Sequence, residues 1–338
     1  MRNIYEYRDN FADYRDVKSI LLWGDTNAIQ NPEVSIVMPC FSHPNYLKTS
    51  LKSAINQDFK GKYEIIICDN NELNVTPTGN QKIVEEFANS KILYYRNEKN
   101  IGMIGNWNRL IELAHAPFVV YLHDDDLLLP TALSTLIRIQ KKYNADGVNA
   151  AYNRIGADGN ILSEAKYVPR IKLGFLKSHK IIKSSVLDLF LGRNGGFGCG
   201  CLFRKKCLLE IGGFSPEFYP SADYALNAVM ATKYNIYFCK EPTFCYRVAE
   251  NESLSVYEQF AEVDKHFRNC MKKCIHIPNF ILNRLILAMY RTSQISFKVT
   301  WGKADKNLLK QQRKDDLLVL KLAHRVRLLM SDFKPFSN

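Results

Sequence analysis

The chain has 338 residues, 46% hydrophobic and 24% charged, which fits a folded globular protein and excludes a disordered one. Its net charge of +12 is uneven: residues 265–338 carry 16 Lys+Arg against 4 Asp+Glu, so 16 − 4 = +12 lies there, while residues 1–264 balance 46 − 16 = 30 bases against 34 − 4 = 30 acids. Such a length buries one large core and leaves room for an appendage, and the appendage has a different electrostatic character from the body.

Nine cysteines occur without a CxxC pair, which argues against a zinc site and for free thiols in a reducing cytoplasm. The amino end, MRNIYEYRDNFADYRD, has no apolar core of a signal peptide, and no apolar run reaches the length of about 18 residues that spans a membrane. Residues 1–32 read as an arm or short helix laid on the body, stopped by Pro32.

Val34–Met38 is a buried strand ended by Pro39, and Tyr46–Gln57 places Leu47, Leu51, Ala54 and Ile55 on one helical face. Tyr63–Cys68 is a second strand ending at Asp69-Asn70-Asn71, followed by a short helix over Gln81–Ala88. Ile92–Tyr95 is a third strand, and Gly102–Ala114 has Trp107, Leu110, Ile111 and Leu113 at helical spacing. Phe118–Leu122 is a fourth strand, and Thr131–Tyr143 is again helical. Apolar strands alternating with helices predict a parallel sheet wrapped on both faces. The polar residues after each strand then fall along one edge: Phe41-Ser42-His43, Asp69-Asn70-Asn71, Asn97–Asn100 and the carboxylates Asp124, Asp125 and Asp126. Three adjacent acids repel one another, so the cluster is either solvated or holds a cation, and the local sequence leaves both open. No GxGxxG or GxxxxGK[ST] follows the first strand, which argues against the usual dinucleotide and P-loop sites.

In the second half, Ala150–Ile155 and Ile161–Tyr167 flank a turn and predict a hairpin. Gly192–Gly200 is a glycine-dense loop, Phe203–Ile211 reads as helical, and Ser221–Lys233 is a helix with Asp223 in its first turn. An acid there also suits a helix dipole. Ile236–Cys239 and Pro242–Val248 are strand-like. Beyond residue 265 two or three helices are expected, including Phe280–Tyr290 and Leu317–Met330, which mix apolar and basic residues. Basic helices with an apolar face lie on a membrane surface or pack on the body or a second subunit. A nucleic-acid role is disfavoured because no aromatic-basic platform is evident.

Five segments in order resemble the family 2 glycosyltransferases, with the GT-A fold: VSIVMPCF, EIIICDNN, NEKNIGMIGNWN, YLHDDDLLLP and FRKKCLLEIGGFSPEFYPSADYAL. The resemblance covers roughly Val34–Ser255. It implies an α/β chain with a Rossmann-like, mostly parallel sheet flanked by helices, divided into an arm (1–32), a GT-A domain (33–255) and a basic helical extension (256–338). Within the domain, residues up to about 130 form the nucleotide-sugar half and those after it the acceptor half. The implied reaction is metal-dependent, inverting transfer of a sugar from a UDP-sugar to a saccharide acceptor. By resemblance Asp223 is the general base, and Pro39, Phe41, Asp69, Asn100, Gly102 and Asn108 line the nucleotide. Asp125 is the preferred direct ligand of Mn²⁺ or Mg²⁺, Asp124 lies near the ribose or a metal-bound water, and Asp126 completes the acidic set. Arg247, with Asn251-Glu252-Ser253, matches residues that close over the diphosphate, although a structural ion pair is an equal alternative. Gly195–Cys201 is expected to border the acceptor.

The chain departs from the family pattern at His123, where the first Asp of the acidic motif belongs, at Ala222, where a Glu precedes the base, and at Asn70. His123 and Ala222 favour a rival reading as a degenerate, non-catalytic nucleotide- or glycan-binding module. A nucleotidyltransferase would need a basic, glycine-rich triphosphate loop, which PCFSHPNYLK lacks. The basic extension and the family together imply a polyprenyl-diphosphate-linked acceptor of O-antigen or capsule type, met by a cytoplasmic, peripheral enzyme at the inner face of the membrane.

Overall fold

A computed structural model of the chain describes residues 1–41, 44–73, 78–165, 180–192, 198–249, 253–300 and 304–332. The strands are β1 (Ser19–Trp23), β2 (Val34–Cys40), β3 (Tyr63–Asp69), β4 (Ile92–Asn97), β5 (Phe118–Tyr121), β6 (Leu127–Leu128), β7 (Gly147–Gly156), β8 (Ile161–Ser163), β9 (Ile181–Lys183), β10 (Leu202–Arg204) and β11 (Ile236–Val248). The helices are α1 (Pro44–Ile55), α2 (Gly79–Phe87), α3 (Gly102–Leu113), α4 (Ala132–Tyr143), α5 (Val186–Phe190), α6 (Lys205–Glu210), α7 (Ala222–Lys233), α8 (Ser253–Met271), α9 (Asn279–Thr300) and α10 (Lys314–Asp332).

One sheet runs through the molecule in the order β1-β4-β3-β2-β5-β10-β7-β11-β6. Strands β4, β3, β2 and β5 are parallel, as their apolar runs predict. Alternate residues of each strand serve opposite faces. Ile36, Met38, Ile65 and Ile67 meet Leu47 and Leu51 of α1, Val84 of α2 and Leu133 and Leu136 of α4. Val37 and Ile66 meet Trp107, Leu110 and Ile111 of α3, behind which lie Leu226, Phe267 and Leu282 of α7, α8 and α9. The chain leaves β2 for β3 and β4 on one side, then returns with β5 on the other. The strand order therefore reverses between β2 and β5, and a crevice opens at the carboxyl ends of these two strands. Register brings the ends of β2, β3 and β4 level, Cys40 pairing with Asp69 and Asp69 with Arg96, whereas β5 stops at Tyr121 opposite Val37, short of the end of β2.

The predicted hairpin is present as β7 and β8, paired through Arg154–Ser163 and Ile155–Ile161. Its expected continuation past residue 165 lies outside the described residues.

Three segments differ from their sequence-based expectation. Residues 19–23, expected within an arm, form β1 and extend the sheet antiparallel to β4. Leu202–Arg204, partly expected in a helix, form β10, which joins β5 to β7 antiparallel before α6 begins. Leu202 and Phe203 are fully buried, and the gap between two unpaired strand edges outweighs their neutral local propensity. The boundary expected at residue 255 falls inside α8, whose Val263, Phe267 and Met271 join the same core as Phe218 and Leu226. The helices of the extension are therefore a layer of the body.

All nine cysteines are free, and eight are buried. Among the described residues no helix is long and apolar enough to cross a membrane.

Candidate active site

The acidic stretch sits where the sheet order reverses. From β5 the chain turns through His123–Asp126 and re-enters the sheet as β6, antiparallel to β11. Two neighbours brace the turn. Ser50 of α1 donates its hydroxyl to the carbonyls of Asp124 (2.9 Å) and Asp126 (2.5 Å). Arg247 of β11 donates its amide to Asp126 Oδ1 (2.8 Å) and its Nε to the Asp125 carbonyl (2.6 Å). Its Nη1 reaches the carbonyls of Gly156 and Ala157, both at 3.1 Å, and its guanidinium lies over the Tyr46 ring at 4.7 Å. Arg247 is only 3% exposed. The side chain expected over the diphosphate is thus built into the wall behind the acids, because the carbonyls at the end of β7 and in the turn need a donor.

The three aspartates are not equivalent. Asp126 is wholly buried, with Oδ1 on the Arg247 amide and Oδ2 at 3.6 Å from His123 Nδ1. It holds the turn together and does not open to the crevice as an outer ligand. Asp124 and Asp125 are half-buried. Burial pushes the Asp124 carboxyl up to about 7, with the charge of Asp125 adding to it, while His123 and the Phe41 amide pull it down. Two hard carboxylates that repel each other in a partly desolvated cleft are a donor set suited to Mg²⁺ or Mn²⁺. His123, Asp126 and Cys199 also bring one potential ligand atom each within 4.8 Å of the others, on the inner side of the turn.

Phe41 follows β2 and is 48% exposed, an aromatic lip at the crevice mouth. Its amide donates to Asp124 Oδ2 (3.4 Å), and its carbonyl accepts from Asn71 and from Asn80 (3.0 Å). Asp69 is fully buried and accepts from the Asn71 amide (3.0 Å), Asn71 Nδ2 (2.7 Å), Thr78 (3.1 Å), Asn80 (3.2 Å) and the Tyr94 hydroxyl (2.6 Å). Its carboxylate thus organises the rim residue Asn71. Pro39 lies in β2, paired with Cys68. Asn100 is exposed and accepts from Asn70 (2.7 Å) and the Gly102 amide (2.8 Å). Gly102 opens α3 at φ +73°, with open space where a side chain would stand. Asn70, the departure from the family pattern, is a buried link between Asn97, Asn100 and the amide of Ile101.

Asn108 is placed differently from its expectation. It is fully buried and makes two hydrogen bonds of 2.8 Å to the backbone of Phe214, one as donor and one as acceptor. It joins α3 to the segment that leads into α7. Phe214 meets Trp107 and Tyr121 edge-on, and Trp107 stacks on His123 with ring centroids 5.5 Å apart. This aromatic wall links the acidic turn to the segment that leads into α7.

Asp223 stands in the first turn of α7, half-buried, with its Oδ1 accepting from the Tyr224 amide (2.8 Å). Burial pushes its carboxyl up to about 6 and Asp264 adds to that, while the Tyr224 amide and His123 pull it down. Burial would lower the His123 pKa, but its hydrogen bond to Asp126 and the charges of the three aspartates raise it overall. Asp264 of α8 accepts from Ser221 (3.0 Å) and faces Arg268 (3.8 Å). An acid from the extension thus stands beside the start of α7, where Ala222 offers none. Sequence reasoning missed Asp264 because it lies in a separate element, and no local pattern ties it to Asp223.

At the described end of the glycine-dense loop, Gly200 donates to the Tyr121 carbonyl (2.8 Å). A side chain there would stand 2.2 Å from the Phe244 ring, so close packing beside β5 requires glycine. Residues 195–197 of that loop and residues 251–252 lie outside the described residues.

The model for Glycosyl transferase family 2 matches residues 35–212. A Campylobacter jejuni relative, GalNAc(5)-diNAcBac-PP-undecaprenol beta-1,3-glucosyltransferase, is 33% identical over 189 residues, and the match spans just over half (56%) of each chain. The Escherichia coli UDP-Glc:alpha-D-GlcNAc-diphosphoundecaprenol beta-1,3-glucosyltransferase WfgD is 23% identical over 256 residues, 74% of this chain and 92% of its own. Among solved structures, S. aureus TarS 1-349 in complex with UDP-GlcNAc superposes with a TM-score of 0.56 at 16% identity, over 88% of this chain and 87% of that one. The mannosyltransferase PcManGT from Pyrobaculum calidifontis, in complex with GDP-Man and Mn²⁺, superposes with a TM-score of 0.54 at 14% identity, over 90% of this chain and 83% of that one. The structural likenesses establish a shared fold, and the match over residues 35–212, more than half of the sequence, establishes that the chain belongs to glycosyl transferase family 2.

Proposed function

We propose that the chain is an inverting glycosyltransferase that moves a sugar from a UDP-sugar to a hydroxyl of a diphospholipid-linked saccharide, in surface polysaccharide assembly. The observation that carries this reading is Asp223, a half-buried carboxylate in the first turn of α7 that feels the charge of His123, as Asp124 in the acidic turn also does. The activities named for the Campylobacter jejuni and Escherichia coli relatives support a lipid-diphosphate acceptor, and that of the latter a UDP-sugar.

In this mechanism the nucleoside lies at the rim made by Phe41 and Asn71, with Asp69 holding Asn71 in place. Asp125, assisted by Asp124, would hold a divalent cation, which would offset the charge of the leaving diphosphate. Asp223 takes the proton of the acceptor hydroxyl as that oxygen attacks the anomeric carbon. The bond from this carbon to the phosphate oxygen breaks, its electron pair leaves on the nucleoside diphosphate, and attack from the opposite face inverts the sugar. Asp264 and His123 set the charge around the base. Asp126 and Arg247 keep the acidic turn in shape, and Asn108 keeps the aromatic wall in register with α7.

The test is UDP release from a panel of UDP-sugars with Mn²⁺ or Mg²⁺, with and without EDTA. Hydrolysis of one donor that is lost with EDTA and in Asp125→Ala supports the reading and names the sugar. Folded protein with no turnover and no metal-dependent nucleotide binding overturns it in favour of a non-catalytic binding module.

A further inference from the structure

We infer that one face of α10 is a docking surface for an anionic lipid bilayer. The helix has two unlike sides. Its inner side is fastened to the body: Asp316 is buried against Arg284 (2.6 Å), and Val319, Leu320 and Ala323 pack on the main core. Arg327 makes a two-pronged contact with Asp188 of α5 (2.9 and 2.7 Å). The outer side carries Leu318, Leu322 and Val326 at i, i+4 and i+8, exposed by 68, 61 and 47%. At roughly 100° per residue these three form one stripe, and Lys314, Lys321 and Arg325, all exposed, form a second stripe directly beside it. Asp315, the exposed acid near the start of the helix, is engaged by Arg284 (3.2 Å) and Arg313 (3.0 Å).

Adjacent apolar and basic stripes on a helix that is already folded and anchored match the layered chemistry of a bilayer surface, acyl chains below anionic headgroups. Charge selects this occupant over a second copy of the chain. Residues 265–338 carry the whole net charge of +12, so two such surfaces repel each other, whereas an anionic headgroup layer attracts them.

The placement also serves the site. α5 receives Arg327, and its Leu189 carbonyl accepts from the hydroxyl of Tyr224 (2.7 Å), the residue after Asp223. α5 thus joins the docking helix to the start of α7. This part of the argument rests on the proposed lipid-linked acceptor, whereas the surface itself does not, and its test needs no turnover.

The test uses the full chain and vesicles of phosphatidylcholine, with or without phosphatidylglycerol. Wild type is expected to sediment with the anionic vesicles and not with the neutral ones. Salt is expected to release the wild type, and partitioning is expected to fall by at least about tenfold for Leu318→Ser/Leu322→Ser/Val326→Ser and by roughly a hundredfold for Lys314→Gln/Lys321→Gln/Arg325→Gln. A second readout covers any variant that misfolds. In a Cys274→Ser background, an environment-sensitive fluorophore on Leu322→Cys should shift to the blue with anionic vesicles, and one on Leu209→Cys of α6 should not. Equal binding of wild type and both triple variants, no binding to anionic vesicles, or vesicle-independent self-association through this face overturns the inference. Donor hydrolysis without vesicle binding sinks the docking surface and leaves the enzyme reading intact.

Discussion

Asp223 illustrates how one residue can be costly to the fold and, in the proposed mechanism, needed for chemistry. Its carboxyl titrates near 6 in the folded chain, against an ordinary value near 4 for an unfolded Asp, chiefly because it is desolvated. The folded state therefore binds this proton more tightly. Stability falls as pH rises from about 4 to about 6, and above that the cost is full, up to about 3 kcal/mol. Asp223→Asn should melt higher than wild type at pH above 6, with the gap closing towards pH 4, as read by calorimetry across pH. The same substitution should cut transfer by about a thousandfold while leaving donor binding unchanged. In the wild type, kcat/KM should rise with pH up to about 6 and level off above it, since the base acts deprotonated. Asp125→Ala should instead abolish Mn²⁺-dependent UDP binding, measured by calorimetric titration with and without the metal.

Between elements, a few buried polar groups hold the crevice in shape. Asn108 bridges α3 and the lead into α7 through both backbone groups of Phe214. Asn108→Ala leaves an N–H and a carbonyl unpaired in the interior and should cost about 2–4 kcal/mol in urea unfolding. Gly213→Ala should act on the same joint: its φ is +72°, and a side chain would stand 2.5 Å from Asn108 Oδ1. Arg247→Met keeps the aliphatic bulk but strips donors from the carbonyls of Asp125, Gly156 and Ala157. It should destabilise by at least about 2 kcal/mol and weaken Mn²⁺ affinity through the loosened turn, although Arg247 lies behind the carboxylates rather than among them.

At the scale of the whole molecule, the basic extension cannot be treated as detachable. Val263, Phe267, Met271, Leu282, Leu285 and Ile286 are buried in the core that also holds Phe218 and Leu226. Exposing six such side chains forfeits about 10 kcal/mol, comparable to the entire stability of a typical domain. A chain cut after residue 255 should fail to give a soluble, cooperatively melting monomer, as judged by size exclusion and thermal unfolding. The opposite result, a folded truncated chain, would show that the body is closed without α8 and α9.

How much of this was legible beforehand follows from the range of the forces involved. Val34–Met38, Tyr63–Cys68 and Phe118–Tyr121 are apolar on both faces, so local pattern alone determined a buried parallel sheet. Alternation with helices then put Phe41, Asp69 and Asp124–Asp126 on one edge. The helical spacing of the apolar residues in α1 and α3 was equally local. Tertiary structure alone decided what depends on distant partners. β1 and β10 are short and take their state from the strand edges they complete. The three consecutive aspartates look alike in sequence, and only the Arg247 amide and His123 distinguish Asp126 as the one turned inward. Asn108 and Arg247 carry polar groups suited to a ligand, yet unpaired backbone at Phe214, Asp125 and Gly156 claims them first. Asp264 reaches Asp223 only because α8 folds back over α7, since desolvation and charge act through space rather than along the chain.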